Sequence, residues 1–315
     1  MNMQISTDKK IYMIGVKGVG MSMLAQFLTE KNYKITGSDV AEVFMTDSVL
    51  KSSGIKVHQG FAVDNIPSDT DLIIYSGAYT AETNIEFTEA QKRKIKMLSY
   101  GEAMGVFFNQ YFGIAVVGTH GKTTTTAWLG YLLMRDGKDP NVMVGAKVRQ
   151  LNGCSLSGES EYLVIEADEY QNKLKYFNPK EVVLNNIEYD HPDFFPSQED
   201  YNQVFIDFLN KIPKKGFLVA NFDDKTIRKI ANVNTRARVI SYAINEAADL
   251  VAYSIKQVGD KQFFKVKLGV DETDEPANND LGDFVISLSG RYNIYNALAV
   301  IATAMELNVS LVAIR

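Results

Sequence analysis

A short loop of small and polar residues, GTHGKTTTT, joins an apolar run to a helical run in the middle of the chain. The apolar run, Tyr111 to Val117, has the length and composition of a buried strand, and the helical run carries Trp128 and Leu132. Gly118 and Gly121 let successive backbone N–H groups point at phosphate oxygens, and the N-terminus of the following helix adds positive potential. The segment therefore predicts a phosphate-binding loop in an α/β domain.

Two side chains of this loop suit a bound nucleoside triphosphate. Lys122 can reach the terminal phosphates, and Thr123 offers a hydroxyl to Mg²⁺. The usual pattern has glycine six residues before the lysine, but Val116 stands there and the first glycine is Gly118, which argues against an ordinary GTPase or kinase. We predict ATP binding by Gly118, Thr119, His120, Gly121, Lys122, Thr123 and Thr124.

The first hundred residues repeat a pattern of strand, glycine turn and helix. Apolar runs in KIYMIGVKGVG, YKITGSD and DLIIYSGA each end in small or polar residues. Strands that alternate with helices predict a parallel sheet, whose ligands bind beyond the carboxyl ends of the strands. The residues at those ends, which we take as candidate ligand contacts, are Gly18, Gly20, Ser38, Asp39 and Ser76.

The ligand of this first domain is left open by the glycine spacing. Gly15, Gly18 and Gly20 do not keep the G-x-G-x-x-G spacing of dinucleotide-binding domains, although Asp39 would suit a ribose hydroxyl. NAD and glycines that serve only helix–strand packing are two alternatives. We favour another diphosphate, such as a nucleotide sugar.

Two further apolar runs end in ionisable groups, in the segments EYLVIEADEY and EVVLNNIEYDH. In a phosphate-loop domain, an acidic residue at a neighbouring strand end completes the Mg²⁺ shell. Glu166 is the first choice for this residue, with Asp168 and Glu169 as alternatives. His191 follows the second run at the same predicted edge and is a candidate metal ligand.

The chain resembles the Mur ligase family in its motifs and in their order: GVKGVGMS and GSD, followed by GTHGKTTTT, EADE and NIEYDH. The resemblance covers essentially the whole chain. The resemblance implies a Rossmann-like UDP-binding domain, a central P-loop ATPase domain and a C-terminal Rossmann-like domain. Its first glycine turn would serve a UDP-sugar and its second would serve ATP. We expect domains at 1–108 and 109–315, with the family's third domain absent and little or no turnover by this chain alone.

The resemblance also implies a reaction. ATP phosphorylates the lactyl carboxylate of UDP-N-acetylmuramate, and the amine of L-alanine attacks the acyl phosphate to give an amide, ADP and phosphate. Lys122 would neutralise charge on the transferred phosphoryl group, Thr123 and Glu166 would hold one Mg²⁺, and His191 would hold a second. The cofactors implied are ATP and Mg²⁺.

The segment SGRYNIYNALAV resembles the family's G-x-H-N-x-x-N element, in which two asparagines bind adenine. Asn293 and Asn296 occupy those positions and fall on one helix face, while Tyr292 replaces the histidine. Residues 245–288 alternate apolar and polar around the acidic loop DETDEPANND, which predicts a small antiparallel β element. The fold class is thus α/β, with a Rossmann-like parallel sheet followed by a P-loop domain.

Other functions remain open at this point. EADEY and LNNIEYDHPDFF lean toward the relative that attaches a murein tripeptide to the same UDP-sugar, although we favour the alanine-adding branch. A non-enzymatic P-loop nucleotide-binding module and a nicotinamide-dependent oxidoreductase are rivals from other classes. The incoming amine and the oligomeric state are not specified by the sequence.

Charge and hydropathy exclude two kinds of partner. The net charge is −5 and the basic residues are scattered, so we predict neither nucleic-acid nor membrane binding. The N-terminus lacks the pattern of a signal peptide and no long apolar run occurs, so we expect a cytoplasmic protein.

Overall fold

A computed structural model describes residues 5–151, 153–269 and 279–315, so most of the predicted acidic loop DETDEPANND lies outside the described residues. The chain forms two compact units. The first runs to Tyr111 and adds Asn141–Glu159, and the second combines Phe112–Pro140 with Ser160–Arg315. The division into domains 1–108 and 109–315 remains our proposal for the folding domains.

The first unit is built on a parallel sheet in the strand order β3-β2-β1-β4-β5. Its strands are β1 (Lys10–Ile14), β2 (Lys34–Asp39), β3 (Lys56–Gln59), β4 (Leu72–Tyr75) and β5 (Lys96–Ser99). The helices between them are α1 (Val19–Glu30), α2 (Asp47–Ser52), α3 (Ile85–Lys92) and α4 (Tyr100–Phe108). The strand order reverses at β1, and ligands of such sheets bind beyond the carboxyl ends of the strands at this point.

Local sequence explains these elements. β1 and β4 are short apolar runs buried on both faces, as expected for strands covered by helices. Ser99 caps α4 by accepting from the backbone N–H of Glu102, whose carboxylate accepts from the backbone of Ser99 in return. The first unit also contains an antiparallel hairpin of β7 (Asn141–Val148) and β8 (Gly153–Leu156) beside α1.

The second unit has the strand order β15-β14-β13-β12-β11-β10-β6-β9. Its strands are β6 (Phe112–Val117), β9 (Tyr162–Glu166), β10 (Glu181–Leu184), β11 (Phe217–Asn221), β12 (Arg238–Ala243), β13 (Leu250–Val258), β14 (Lys261–Leu268) and β15 (Asp280–Ile286). Its helices are α5 (Lys122–Arg135), α6 (Gln198–Leu209), α7 (Lys225–Ile230), α8 (Arg291–Glu306) and α9 (Leu311–Ile314). The neighbouring strands in the order β9-β6-β10-β11-β12-β13 pair in parallel. The pairs β13–β14 and β14–β15 are antiparallel.

This architecture confirms the predicted fold class. The first sheet is parallel, the phosphate-loop segment joins a buried strand to a helix, and the antiparallel element falls within residues 250–286. β6 lies between β9 and β10, so the strand order of the second sheet also reverses where the phosphate loop begins. No helix among the described residues is long and apolar enough to cross a membrane.

A buried carboxylate at the start of the central strand β10, at the amino ends of the parallel strands, predicts a pH-dependent stability. Glu181 begins β10, is 4% exposed and accepts from the backbone N–H of Phe217 at 2.5 Å. Burial raises its pKa from 4.5 to about 7, against the opposing effects of that N–H and of Arg238.

We therefore expect Glu181→Gln to stabilise the chain at alkaline pH but not at acidic pH. A raised carboxyl pKa means that wild-type stability falls as pH rises from 4.5 to about 7, where the native state must ionise a buried group. Above that range the variant should exceed wild type by about 3 kcal/mol in the free energy of unfolding, and below it the two should agree. Urea unfolding at a series of pH values measures this, and a pH-independent difference would contradict it.

Candidate active site

The phosphate-loop segment forms a tight turn between β6 and α5. Gly118 has φ +128° and Gly121 has φ +80°, values that favour glycine. A Cβ atom on Gly118 would lie 2.7 Å from the carbonyl oxygen of Asn186, so the loop packs closely on the chain that follows β10. Because α5 begins at Lys122, the N–H groups of its first turn have no partner within the helix and are available to an anion.

Lys122 points back over its own loop. Its Nζ donates to the carbonyl oxygen of Gly118, to that of Thr119 at 3.2 Å, and to Glu169 Oε2 at 3.3 Å. The carboxylate of Glu169 is 1% exposed, so this is an ion pair with one buried partner. A charge at this depth is stabilised chiefly by its partner, and loss of either member would leave the other uncompensated.

The two neighbouring strands contribute polar groups to the loop. Thr123 Oγ1 donates to Glu166 Oε1, at the end of β9, at 3.0 Å. The backbone N–H of His120 donates to Asn186 Oδ1 at 2.7 Å, beyond the end of β10. His120 Nε2 lies 3.5 Å from Glu188 Oε2 with both side chains exposed. The structure thus joins the predicted pair of Thr123 and Glu166.

Asp168, Glu169 and His191 form a cluster that could hold a metal ion. One ligand atom from each lies within 4.8 Å of the others. His191 Nε2 is 4.0 Å from Glu169 Oε1, and Asp168 is also paired with Lys173 at 2.6 Å. Glu169 and Asp168, the two alternatives to Glu166, therefore both approach His191, and so does Asp190, whose Oδ2 lies 3.8 Å from His191 Nε2.

The aromatic ring of Tyr170 packs against this cluster. The ring of Tyr170 lies 4.5 Å from that of His191, and its hydroxyl donates to Asp193 at 2.7 Å. His191 has φ +58°, a left-handed conformation that is uncommon for a residue other than glycine. Its placement is thus fixed by its surroundings rather than by local preference.

Asn293 and Asn296 lie in the first turns of α8 and are both 4% exposed. Asn296 Nδ2 donates to Asn293 Oδ1 at 3.2 Å, and Asn296 Oδ1 accepts from Thr125 Oγ1 at 3.3 Å. Asn185 Nδ2 also donates to Thr125 Oγ1, at 3.0 Å. The predicted adenine residues therefore lie beside the phosphate loop in a chain of side-chain hydrogen bonds.

This packing makes Gly121 sensitive to substitution. A Cβ atom there would lie 2.3 Å from Asn296 Oδ1 and 2.9 Å from Asn185 Nδ2. Gly137 has a similar φ of +76°, but an added Cβ there would have nothing within 4 Å. Comparing alanine substitutions at the two glycines therefore separates the cost of backbone strain from the cost of the steric clash.

We expect Gly121→Ala to lower the free energy of unfolding by about 2–4 kcal/mol, because strain and overpacking add. Gly137→Ala should cost about 1 kcal/mol, from the left-handed backbone alone. Urea denaturation of both variants measures the difference. Equal losses would show that the amide contacts of Gly121 are not tight.

In the first unit, Ser38 and Asp39 end β2 as predicted and are both buried. Asp39 Oδ2 accepts from the backbone N–H of Lys17 at 2.7 Å, and Oδ1 accepts from that of Val40 at 2.8 Å and from Tyr79 Oη at 3.2 Å. The Ser38 hydroxyl donates to the buried carboxylate of Glu86. These two residues thus fix the glycine turn in place.

Gly18, Gly20 and Ser76 lie at the same edge of the first sheet. Gly18 is the residue before α1, and a Cβ on Gly20 would lie 2.6 Å from the ring of Tyr100. Ser76 follows β4, and its hydroxyl accepts from the backbone N–H of Ala78 at 3.4 Å. The structure therefore groups the five predicted residues at the carboxyl ends of β1, β2 and β4.

Sequence reasoning missed three residues near these sites. Lys17 is buried, and its Nζ donates to the carbonyl oxygens of Val40 at 2.9 Å and Glu42 at 2.7 Å. Tyr201, in α6, and Asn185, directly after β10, contact the phosphate-loop segment. A lysine inside the motif GVKGVG could have been noticed, whereas a tyrosine in an amphipathic helix carries no such signal.

A parallel and a mixed sheet that each reverse strand order at a glycine turn, with a P-loop beside a carboxylate–histidine cluster, are typical of nucleotide-binding α/β proteins. Comparison with known families makes this specific. The Mur ligase middle domain matches residues 116–304, and the catalytic domain of the Mur ligase family matches residues 10–112. The chain belongs to the Mur ligase family, which confirms the resemblance found in its motifs.

Curated relatives include UDP-N-acetylmuramate–L-alanine ligases. The one from Aquifex aeolicus is 35% identical over 96% of this chain and 64% of its own length, and the one from Caldicellulosiruptor bescii is 36% identical over 97% and 65%. The chain therefore spans just under two thirds of these relatives.

Solved structures share the fold. A UDP-N-acetylmuramate:L-alanyl-γ-D-glutamyl-meso-diaminopimelate ligase from Neisseria meningitides matches with a TM-score of 0.85 and 24% identity, over 98% of this chain and 96% of that one. A UDP-N-acetylmuramate–alanine ligase from Thermotoga maritima matches with a TM-score of 0.82 and 22% identity, over 97% and 66%.

Proposed function

We propose that the chain supplies the UDP-sugar-binding and ATP-binding domains of an ATP-dependent amide-bond ligase of peptidoglycan precursor synthesis. The reaction joins L-alanine to UDP-N-acetylmuramate through an acyl phosphate. The observation that carries this proposal is the position of Lys122, which lies in the phosphate loop beside the Glu169–His191 cluster. We also propose that the protein acts in the cytoplasm.

ATP is assigned to the second unit. The loop from Gly118 to Thr124 would hold its phosphates, with Lys122 against the terminal ones. Asn293 and Asn296 would bind adenine, which is supported by their place beside the phosphate loop. For this to happen their amides must exchange internal hydrogen bonds for bonds to the base.

The side chains present fit divalent cations. Thr123 and Glu166 would hold one, and Glu169 and His191, with Asp168 beside them, would hold a second. Carboxylate and hydroxyl oxygens are the ligands that Mg²⁺ prefers, and an imidazole is a common metal ligand. When bound, such cations neutralise the repulsion between the ATP phosphates and a second anion, the substrate carboxylate.

The chain's own residues would contribute charge and orientation. Lys122 places a positive charge next to the transferred phosphoryl group, where each unit charge at 4 Å contributes about 1 kcal/mol in water and several times that in a drier site. Glu169 holds Lys122 over the loop through their ion pair. The reaction needs such preorganised charge because it brings two anions together.

The first unit would bind the UDP-sugar at the carboxyl edge of its sheet. Gly18 and Gly20 would offer the backbone at the start of α1 to a diphosphate, with no close contact at Gly18 and the ring of Tyr100 packed against Gly20. Ser38, Asp39 and Ser76 lie at the same edge of the sheet. The hydrogen bonds that Asp39 accepts from Lys17 and Tyr79 fix the glycine turn in place.

The alternative function is attachment of a murein tripeptide to the same sugar. Its support is the Neisseria ligase, whose likeness at 24% identity concerns the fold. The relatives above 30% identity named here are L-alanine ligases. We therefore favour L-alanine as the incoming amine.

Thermal unfolding with a panel of nucleotides tests the assignment of the second unit. A ligand that binds only the native state raises the melting temperature, and the rise grows with the logarithm of the ligand concentration above its dissociation constant. We expect ATP with Mg²⁺ to raise it clearly, and GTP and NAD to leave it unchanged. Stabilisation by NAD alone would instead support the oxidoreductase alternative.

A further inference from the structure

Tyr201 lies in the first turn of α6 and is completely buried. Its hydroxyl is between the phosphate loop and the candidate cation cluster, 3.0 Å from Thr119 Oγ1 and 2.9 Å from Glu169 Oε1. It therefore touches both parts of the site without facing the solvent or a substrate.

The direction of the two hydrogen bonds follows from counting protons. An ionised carboxylate can only accept, so the single proton of Tyr201 goes to Glu169. Thr119 can then donate to Tyr201 or to the carbonyl oxygen of Glu188, which is 2.8 Å away. Tyr201 is thus a neutral donor that is committed to Glu169.

The two oxygens of Glu169 have different neighbours. Oε2 faces Lys122 at 3.3 Å, whereas Oε1 faces Tyr201 at 2.9 Å and His191 Nε2 at 4.0 Å. Tyr201 therefore acts on the oxygen that is turned toward His191.

The ring of Tyr201 is held rigidly. Its centroid lies 5.2 Å from that of Phe195 and 5.3 Å from that of Phe205, both in edge-to-face contacts, and 6.0 Å from that of Tyr189. Aromatic pairs at these distances stabilise one orientation of the ring. The hydroxyl is consequently a fixed point from which Glu169 can be aimed.

We propose that Tyr201 is a positioning residue of the cation site, which holds Glu169 Oε1 toward His191 and away from Lys122. This inference rests on the proposed function. Without the tyrosine hydroxyl, Glu169 can turn both oxygens to Lys122, and the carboxylate is then withdrawn from the cation. Hydrogen-bond partners of metal ligands act in this way, and their loss weakens metal affinity.

The test is Tyr201→Phe, with ATP binding measured by calorimetry at a series of Mg²⁺ concentrations. The quantity of interest is the Mg²⁺ concentration at which ATP affinity has gained half of its total Mg²⁺-dependent increase. We expect this concentration to rise about tenfold. ATP affinity without Mg²⁺ should fall by only about two- to threefold, because Lys122 stays in the loop and only its competition with Glu169 increases. A merely structural role would not separate these two quantities.

Tyr242→Phe is the matched control. Tyr242 is also completely buried, and no hydrogen-bond partner of its hydroxyl is found among the residues that the structure describes. This control should keep the wild-type response to Mg²⁺. An unchanged response in Tyr201→Phe, or the same change in both variants, would overturn the proposal.

A second variant covers the case in which Tyr201→Phe does not fold. Phe205→Leu keeps the Tyr201 hydroxyl but removes one of the edge-to-face contacts that orient its ring, and should also raise the Mg²⁺ requirement. A wild-type response in this variant would overturn the proposal. If the wild-type chain itself shows no Mg²⁺-dependent ATP binding, the proposed function fails instead.

Discussion

Replacing Lys122 with methionine is expected to weaken ATP binding by about 100-fold or more, because the positive charge that would contact the nucleotide phosphates is lost. Methionine keeps the length of the side chain but removes the ammonium group. Calorimetric titration with ATP and Mg²⁺ measures the loss. Lys138→Met is the control, since Lys138 follows the other end of α5. Its Nζ lies 3.5 Å from Asp136 Oδ2, and neither residue belongs to the phosphate loop.

The same substitution should also destabilise the chain. It leaves the buried carboxylate of Glu169 without its cation, which costs about 3 kcal/mol in the free energy of unfolding. Adding Glu169→Gln should restore most of that stability and none of the ATP affinity. Near-normal ATP binding by Lys122→Met would show that the loop is not a phosphate site.

The second large effect is expected for Glu169→Gln alone. The variant keeps the shape of the side chain and its acceptor for Tyr201 but loses the charge that a cation needs. We expect the Mg²⁺ concentration for half of its effect on ATP affinity to rise about 100-fold. ATP binding without Mg²⁺ should become somewhat tighter, since Lys122 loses a competing partner and the site loses a negative charge.

Glu188→Gln is the matched control for this prediction. Glu188 lies at the same edge of the sheet, but its side chain is 68% exposed and near His120 rather than Lys122. Its removal should change ATP and Mg²⁺ binding by less than about twofold, as for other exposed pairs. A wild-type Mg²⁺ response in Glu169→Gln would exclude Glu169 from the cation site.

Much of the fold could be predicted because its signals are local. Apolar runs that end in glycines gave β1 and β6, and the helix after the phosphate loop begins at Lys122, as its motif requires. The assignment of Asn141–Glu159 to the first unit could not be predicted. It depends on packing of the β7–β8 hairpin beside α1, which are far apart in the sequence.

The choice between acidic residues also lay beyond sequence reasoning. Glu166, Asp168 and Glu169 occur within four positions. Glu166 ends β9, and Glu169 lies in the loop that follows this strand. Gln171 and Asn172 then adopt positive φ values of +56° and +52°, so the direction of the chain cannot be read from periodicity. Only the folded loop shows which carboxylate reaches Lys122 and His191.

Calorimetric titration of this chain with UDP-N-acetylmuramate tests whether the first unit is a UDP-sugar site. UDP-N-acetylglucosamine and NAD serve as controls for the sugar and for a different diphosphate. We expect a dissociation constant on the order of micromolar for the muramate alone, a range typical of enzyme substrates. Absence of binding to the muramate, with binding of NAD in its place, would contradict the assignment of the first unit.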